Sequence, residues 1–91
     1  MTVNYLLNIS DYTKCKTEYI SGSRTFKNLL GELCDKYGAQ FRKTVMNNDF
    51  SNLNEEIVVL VNGVSIAVFD GVNTVLQEDD TVTLLPMVMG G

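Results

Sequence analysis

The amino-acid sequence predicts a two-layer α+β domain. Three observations carry that reading: two alternating segments at the start, one apolar stripe of helical period after them, and three short apolar segments separated by turn signals in the second half. A helix that follows a pair of strands and carries one apolar face must bury that face against a sheet.

The elements follow in order. Val3, Tyr5, Leu7 and Ile9 alternate along residues 3–9 as in a strand, with Leu6 on the nominally polar side. Ser10-Asp11 reads as a short polar turn. Residues 14–19 alternate again, with Lys14, Lys16 and Glu18 on one face and Cys15, Thr17 and Tyr19 on the other, so an N-terminal hairpin is expected. Phe26, Leu29, Leu30, Leu33, Cys34 and Tyr37 then fall on one helical stripe, between a candidate N-cap, Thr25, and a candidate C-terminal stop, Gly38. Gly31 lies inside this helix at a cost of about 1 kcal/mol relative to alanine.

Phe41 and Val45 suit one more helical turn, and Asn47 through Asn54 reads as a polar loop. Ile57 to Val61 is a continuous apolar run, the pattern of a strand buried on both faces at a sheet centre. Asn62-Gly63 signals a tight turn into a partner strand over Val64 to Phe69. Asp70-Gly71 turns the chain again, Leu76 is expected to plug the core, and Thr81 to Leu85 forms the last strand. Pro86, which has no N–H, should end its regular ladder. The expected division is a domain over residues 1–86 and a flexible tail over 87–91.

Composition narrows the function. The 91 residues suffice for one domain, and 45% hydrophobic content suffices for a core. Seven basic against eleven acidic residues, a net charge of −4, argue against nucleic acid, which demands a clustered positive surface. No apolar run approaches the roughly 20 residues of a membrane helix, and the start lacks the basic residues of a signal peptide. A cytoplasmic protein with no membrane contact is expected. Two cysteines without histidine are too few for a zinc site, so neither metal nor cofactor is expected. The same absence of histidine excludes Ser/His/Asp and Cys/His catalysis within the chain. Cys15 and Cys34 both read as core residues rather than as a redox or sulfur relay.

The chemistry that remains is at the end of the sequence. Met87-Val88-Met89-Gly90-Gly91 follows directly on the last strand and Pro86. A carboxylate becomes electrophilic only when a partner joins it to a good leaving group, as in an acyl-adenylate. Two glycines let backbone thread a narrow partner channel and take whatever dihedrals that channel imposes. If the last strand alternates, Leu85 lies opposite the core-facing Leu84, and one of Leu6 and Leu7 is likewise outward. Such residues are either scattered surface hydrophobes or, with Met87 and Met89, a patch for partner enzymes.

The order of hairpin and helix resembles the β-grasp fold, a mixed sheet of four to five strands on one main helix. Within it, Val59-Leu60-Val61-Asn62-Gly63, Asp70-Gly71, Leu76, Asp80 and Leu84-Leu85-Pro86 to Gly90-Gly91 resemble the MoaD/ThiS family of ubiquitin-like sulfur carriers. The resemblance covers nearly the whole chain, and its specific part is residues 59–91. It implies a non-enzymatic carrier whose Gly91 is adenylated by an activating enzyme that holds the ATP, converted to a thiocarboxylate with sulfur from a donor, and used by a synthase. Gly90, Met89, Val88 and Met87 would thread the partner's site, and Leu7, Leu85 and Pro86 would form the docking patch.

Length favours the small subunit of molybdopterin synthase, with that enzyme's large catalytic subunit as partner, over the shorter thiamine carrier. Two departures stand out. Asp79 occupies a position where the family often has glycine, and Met87 one where molybdopterin carriers usually have a second proline. Thiamine, cysteine or another thio-metabolite, or conjugation to proteins, are the alternative destinations. A non-covalent interaction domain is the alternative of another class. An iron–sulfur ferredoxin would need four cysteine ligands.

Overall fold

The computed structural model describes residues 1–47 and 52–87. It has the expected α+β architecture: a mixed five-stranded sheet packed on one main helix. Chain order is β1 (Thr2–Tyr5), α1 (Ile9–Thr13), β2 (Thr17–Tyr19), β3 (Arg24–Thr25), α2 (Phe26–Tyr37), α3 (Ala39–Val45), β4 (Ile57–Val61), β5 (Val64–Ser65), β6 (Val75–Leu76) and β7 (Thr81–Pro86). The sheet runs β2-β1-β7-β4-β5, with β1 parallel to β7 and the other pairs antiparallel. A two-stranded ribbon pairs β3 with β6.

The helical stripe forms α2. Phe26, Leu29, Leu30, Leu33 and Cys34 are buried, and Tyr37 packs at the margin of the core. Thr25 caps it by accepting a hydrogen bond from the Asn28 N–H at 3.2 Å. Gly38, at φ +91°, donates its N–H to the Cys34 carbonyl and starts α3, which adds Phe41 and Val45 to the core. That conformation is one glycine takes without Cβ strain. Leu76 is fully buried, as expected of a plug.

Several local expectations change. The alternation over residues 3–9 breaks after Tyr5: Leu7 turns to φ +54° and Ile9 opens the short helix α1. Ile9 and Thr13, four apart, both reach the core from α1, so the period there is helical and Ser10-Asp11 lies within it. Strands β1 and β2 still pair antiparallel, so the hairpin survives with a helix as its connection.

The faces of β2 are also the reverse of the charge pattern. Thr17 and Tyr19 are exposed, while Glu18 turns inward. It accepts hydrogen bonds from the hydroxyls of Tyr5 and Tyr37 and from the Lys36 ammonium, each at 2.5 Å. Burial alone would raise the Glu18 pKa, but the hydrogen bonds from Lys36, Tyr37 and Tyr5 outweigh it and hold the carboxyl below its ordinary value.

Strand β4 is buried on one face only. Ile57, Val59 and Val61 point into the core, and Val58 and Leu60 are half-exposed on the outer face. The sheet centre is β7. The partner strand after Asn62-Gly63 is two residues long, and a 3₁₀ turn over Ile66–Val68 replaces the rest, with Ile66 buried. Pro86 ends the strand, as expected, but from inside it rather than one residue beyond. It pairs with Ile57 as the last residue of β7, and the Met87 N–H donates to the Glu56 carbonyl beyond it. Alternate residues of an antiparallel strand bond to a given neighbour, so the N–H that proline lacks would have faced away from β4.

Candidate functional site: the end of the central strand and its outer face

The strand that leads into the tail is paired on both sides over most of its length. Strand β7 is paired along Thr81–Leu84 with β1 and along Val82–Pro86 with β4. At its start, Asp80 accepts from the Asn62 side-chain amide at 3.0 Å and from the Gln77 N–H at 2.8 Å, while the Asn62 side-chain carbonyl accepts from the Thr81 N–H at 2.9 Å. This ties the Asn62-Gly63 turn to the entry of the strand. At its exit, Met87 is 48% exposed and held by Glu56. Val88, Met89, Gly90 and Gly91 lie outside the described residues.

Next to this exit the outer sheet face is apolar. Val82 and Leu84 are fully buried, which leaves Leu85 on the opposite face, half-exposed. Its partner across the ladder is Val58, with Leu60 two residues further on the same face. Continuing the parallel register past Tyr5–Leu84 brings Leu6, not Leu7, to the position beside Leu85, and the Leu6 N–H donates to the Leu84 carbonyl at 3.0 Å. Leu7 follows as the more exposed of the two, at 60%. Pro86, half-buried, sits on the inner phase of the strand against Ile57.

The structure therefore groups Leu85 with Leu6, Val58 and Leu60. Of these, Val58 and Leu60 were hidden in the sequence because a continuous apolar run does not say which of its faces is covered. The available signal was number: five apolar residues in a strand that needs three for the core.

The cysteines differ in setting. Cys34 is buried in α2, and burial pushes its thiol above the usual value. Cys15 is half-buried, packs against the core, and has its Sγ 3.8 Å from the Tyr37 hydroxyl. Among the described residues no three His, Cys, Asp or Glu side chains are grouped to hold a metal. Among the same residues no helix is long and apolar enough to cross a membrane.

Comparison with known proteins gives consistent results. The model of the ThiS family matches residues 10–91. The solution structure of small archaeal modifier protein 1 from Methanosarcina acetivorans superposes with a TM-score of 0.81 at 28% identity, over 99% of this chain and 94% of that one. A chain in the crystal structure of the Amycolatopsis orientalis BexX/CysO complex gives 0.79 at 23% identity, over 99% and 98%. Mycobacterium tuberculosis CysO gives 0.79 at 23%, over 96% and 98%. The fold is thus the ubiquitin-like β-grasp. Among curated protein sequences none matches the chain.

Proposed function

The chain belongs to the ThiS family of ubiquitin-like sulfur carriers, and we propose that it carries sulfur as a thiocarboxylate on Gly91. The observation that supports this most is the exit of β7. The central strand is paired on both sides up to Leu84, stays paired with β4 to Pro86, and ends in an exposed Met87 beside an apolar outer face. A tail leaving such a strand can enter a partner's active site while Leu85, Leu6, Leu7, Val58 and Leu60 dock on that partner. Pro86 stiffens the junction because its ring fixes φ.

In the proposed cycle the Gly91 carboxylate oxygen attacks the α-phosphorus of ATP bound to the activating enzyme, and pyrophosphate leaves. A hydrosulfide ion then adds to the carbonyl carbon of the acyl-adenylate, AMP leaves, and Gly91 ends as a thiocarboxylate. The sulfur is the stronger nucleophile of the resulting group and attacks the acceptor. Residues 87–90 thread the partner's channel, and the glycines admit dihedrals a side chain would forbid. The chain contains no histidine to serve as general base, so we assign the acid–base groups to the partner. The protein itself is read as a non-catalytic carrier of the cytoplasm.

For the acceptor we keep the molybdopterin precursor, on the additional internal segment at residues 39–56, with the large subunit of that synthase as the second partner. One observation favours a second reading. The structural neighbour at 28% identity is named a small archaeal modifier protein, so transfer of the Gly91 acyl group to a lysine amine, with AMP leaving, is the alternative. ATP–pyrophosphate exchange by the cognate activating enzyme tests the first step. Exchange that depends on this protein and disappears when Gly90-Gly91 is removed supports the reading. Exchange indifferent to that deletion contradicts it.

A further inference from the structure

The large apolar side chains that stay exposed fall mainly into two sets. Leu6, Leu7 and Met87 adjoin the exit of β7, whereas Val64, Val68, Phe69 and Val75 come from the segment between β4 and β7. Single exposed hydrophobes are ordinary, but a cluster marks a contact surface. Here Phe69, 52% exposed, and Val75, 57% exposed, line one depression of about 590 Å³ together with Val61, Asn62, Asp70, Thr74 and Asp80. No lysine or arginine lines it.

The rim is built in advance of any ligand. The Asp70 N–H donates to the Thr74 hydroxyl at 3.1 Å, and that hydroxyl donates to the Gly71 carbonyl at 2.7 Å. The Thr74 carbonyl in turn accepts from the Phe26 N–H at the start of α2. The two carboxylates in the depression differ. Asp80 is occupied by Asn62 and Gln77. The exposed Asp70 carboxylate makes no hydrogen bond or ion pair among the described residues. Glu78 and Asp79 continue the negative sign beside Asp80.

We propose that this depression docks a basic segment of a partner protein, with a Leu, Met or Phe side chain against Phe69 and Val75 and a Lys or Arg against Asp70. Charge complementarity selects that occupant: a chain of net charge −4 repels nucleic acid, anionic lipid and, less strongly, a second copy of itself. The surface does not include Met87. Thr81 and Pro86 bound β7, and its length of roughly 17 Å lies between the depression and Met87. The inference stands whether or not Gly91 carries sulfur.

The test is selection of a phage-displayed library of random twelve-residue peptides on the purified protein, followed by ¹⁵N-amide titration with the enriched peptides. We expect sequences with two or more Lys or Arg around an apolar residue. They should perturb amides 69–75 and bind the Asp70→Lys and Phe69→Ser variants at least about tenfold more weakly. Val75→Ser replaces Phe69→Ser if that variant does not fold. The inference is overturned if no peptide is enriched, if enriched peptides lack basic residues, or if they perturb the Leu6 and Leu85 face instead. It is equally overturned if the wild type sediments as a dimer that Phe69→Ser disperses, since the surface is then a self-contact.

Discussion

Replacing Glu18 by glutamine should destabilise the fold by about 2 kcal/mol at neutral pH. Two hydrogen bonds from tyrosine hydroxyls and one from an ammonium converge on this carboxylate. Bonds to a charged acceptor contribute about 1.5–3 kcal/mol and neutral ones about 1, so neutralising the acceptor weakens each tyrosine bond by roughly 1. The Lys36 ammonium is half-exposed and adds little, because water takes its place. Tyr5 cannot be resolvated in this way: it is fully buried, in edge contact with the Tyr37 and Phe41 rings.

For a domain of this size the loss amounts to a fall in Tm of roughly 8–16 °C. Urea unfolding followed by circular dichroism should show the lower midpoint with an unchanged slope, and a double-mutant cycle with Tyr5→Phe should show coupling of about 1 kcal/mol. The pH dependence has a definite sign. The folded pKa of Glu18 is lowered, so its contribution is complete above the unfolded carboxylate value and is lost as pH falls through the folded value. The wild type should therefore approach Glu18→Gln in stability on acidification. A variant within about 0.5 kcal/mol of wild type at neutral pH, or a stability gap that persists unchanged in acid, would refute the reasoning.

Three other substitutions separate stability from function. Gly31→Ala should stabilise by about 1 kcal/mol and leave activation untouched, because it is a helix-interior glycine whose added Cβ meets nothing within 4 Å; a thermal melt and an exchange assay check both halves. Leu7→Gly should leave stability equal or raise it by up to about 1 kcal/mol, by relieving a left-handed leucine, yet weaken the activating enzyme's KM for the protein. Leu85→Lys should cost less than about 1 kcal/mol of stability, since the side chain is half-exposed, and should raise that KM at least about tenfold. Unfolding midpoints alongside steady-state kinetics distinguish the two effects.

What could be read from the sequence was what neighbouring residues determine. The stripe from Phe26 to Tyr37 has one period and one interpretation, and Thr25 and Gly38 bound it as capping chemistry requires. Ile9 was ambiguous because it follows Tyr5 by four positions, a spacing that both strand and helix allow. Only the capture of Ile9 and Thr13 together by the core decides for the helix. Glu18 turns inward because its partners lie 13 to 19 positions away, and no local pattern reports them. The same holds for β7, whose central place depends on a parallel pairing with β1 across nearly the entire chain. The apolar outer face was half legible: Leu85 followed from alternation, while Val58 and Leu60 needed the register of β4 against β7.

The central claim is that Gly91 carries sulfur, and the most direct measurement is the intact mass of the protein after incubation with ATP, the cognate activating enzyme and sulfide. Exchange of one oxygen for sulfur predicts a gain of about 16 Da, localised to the C-terminal peptide and absent when Gly90-Gly91 is deleted. An unchanged mass with an enzyme that is active on a known carrier would contradict the account and leave a non-covalent β-grasp interaction domain in its place.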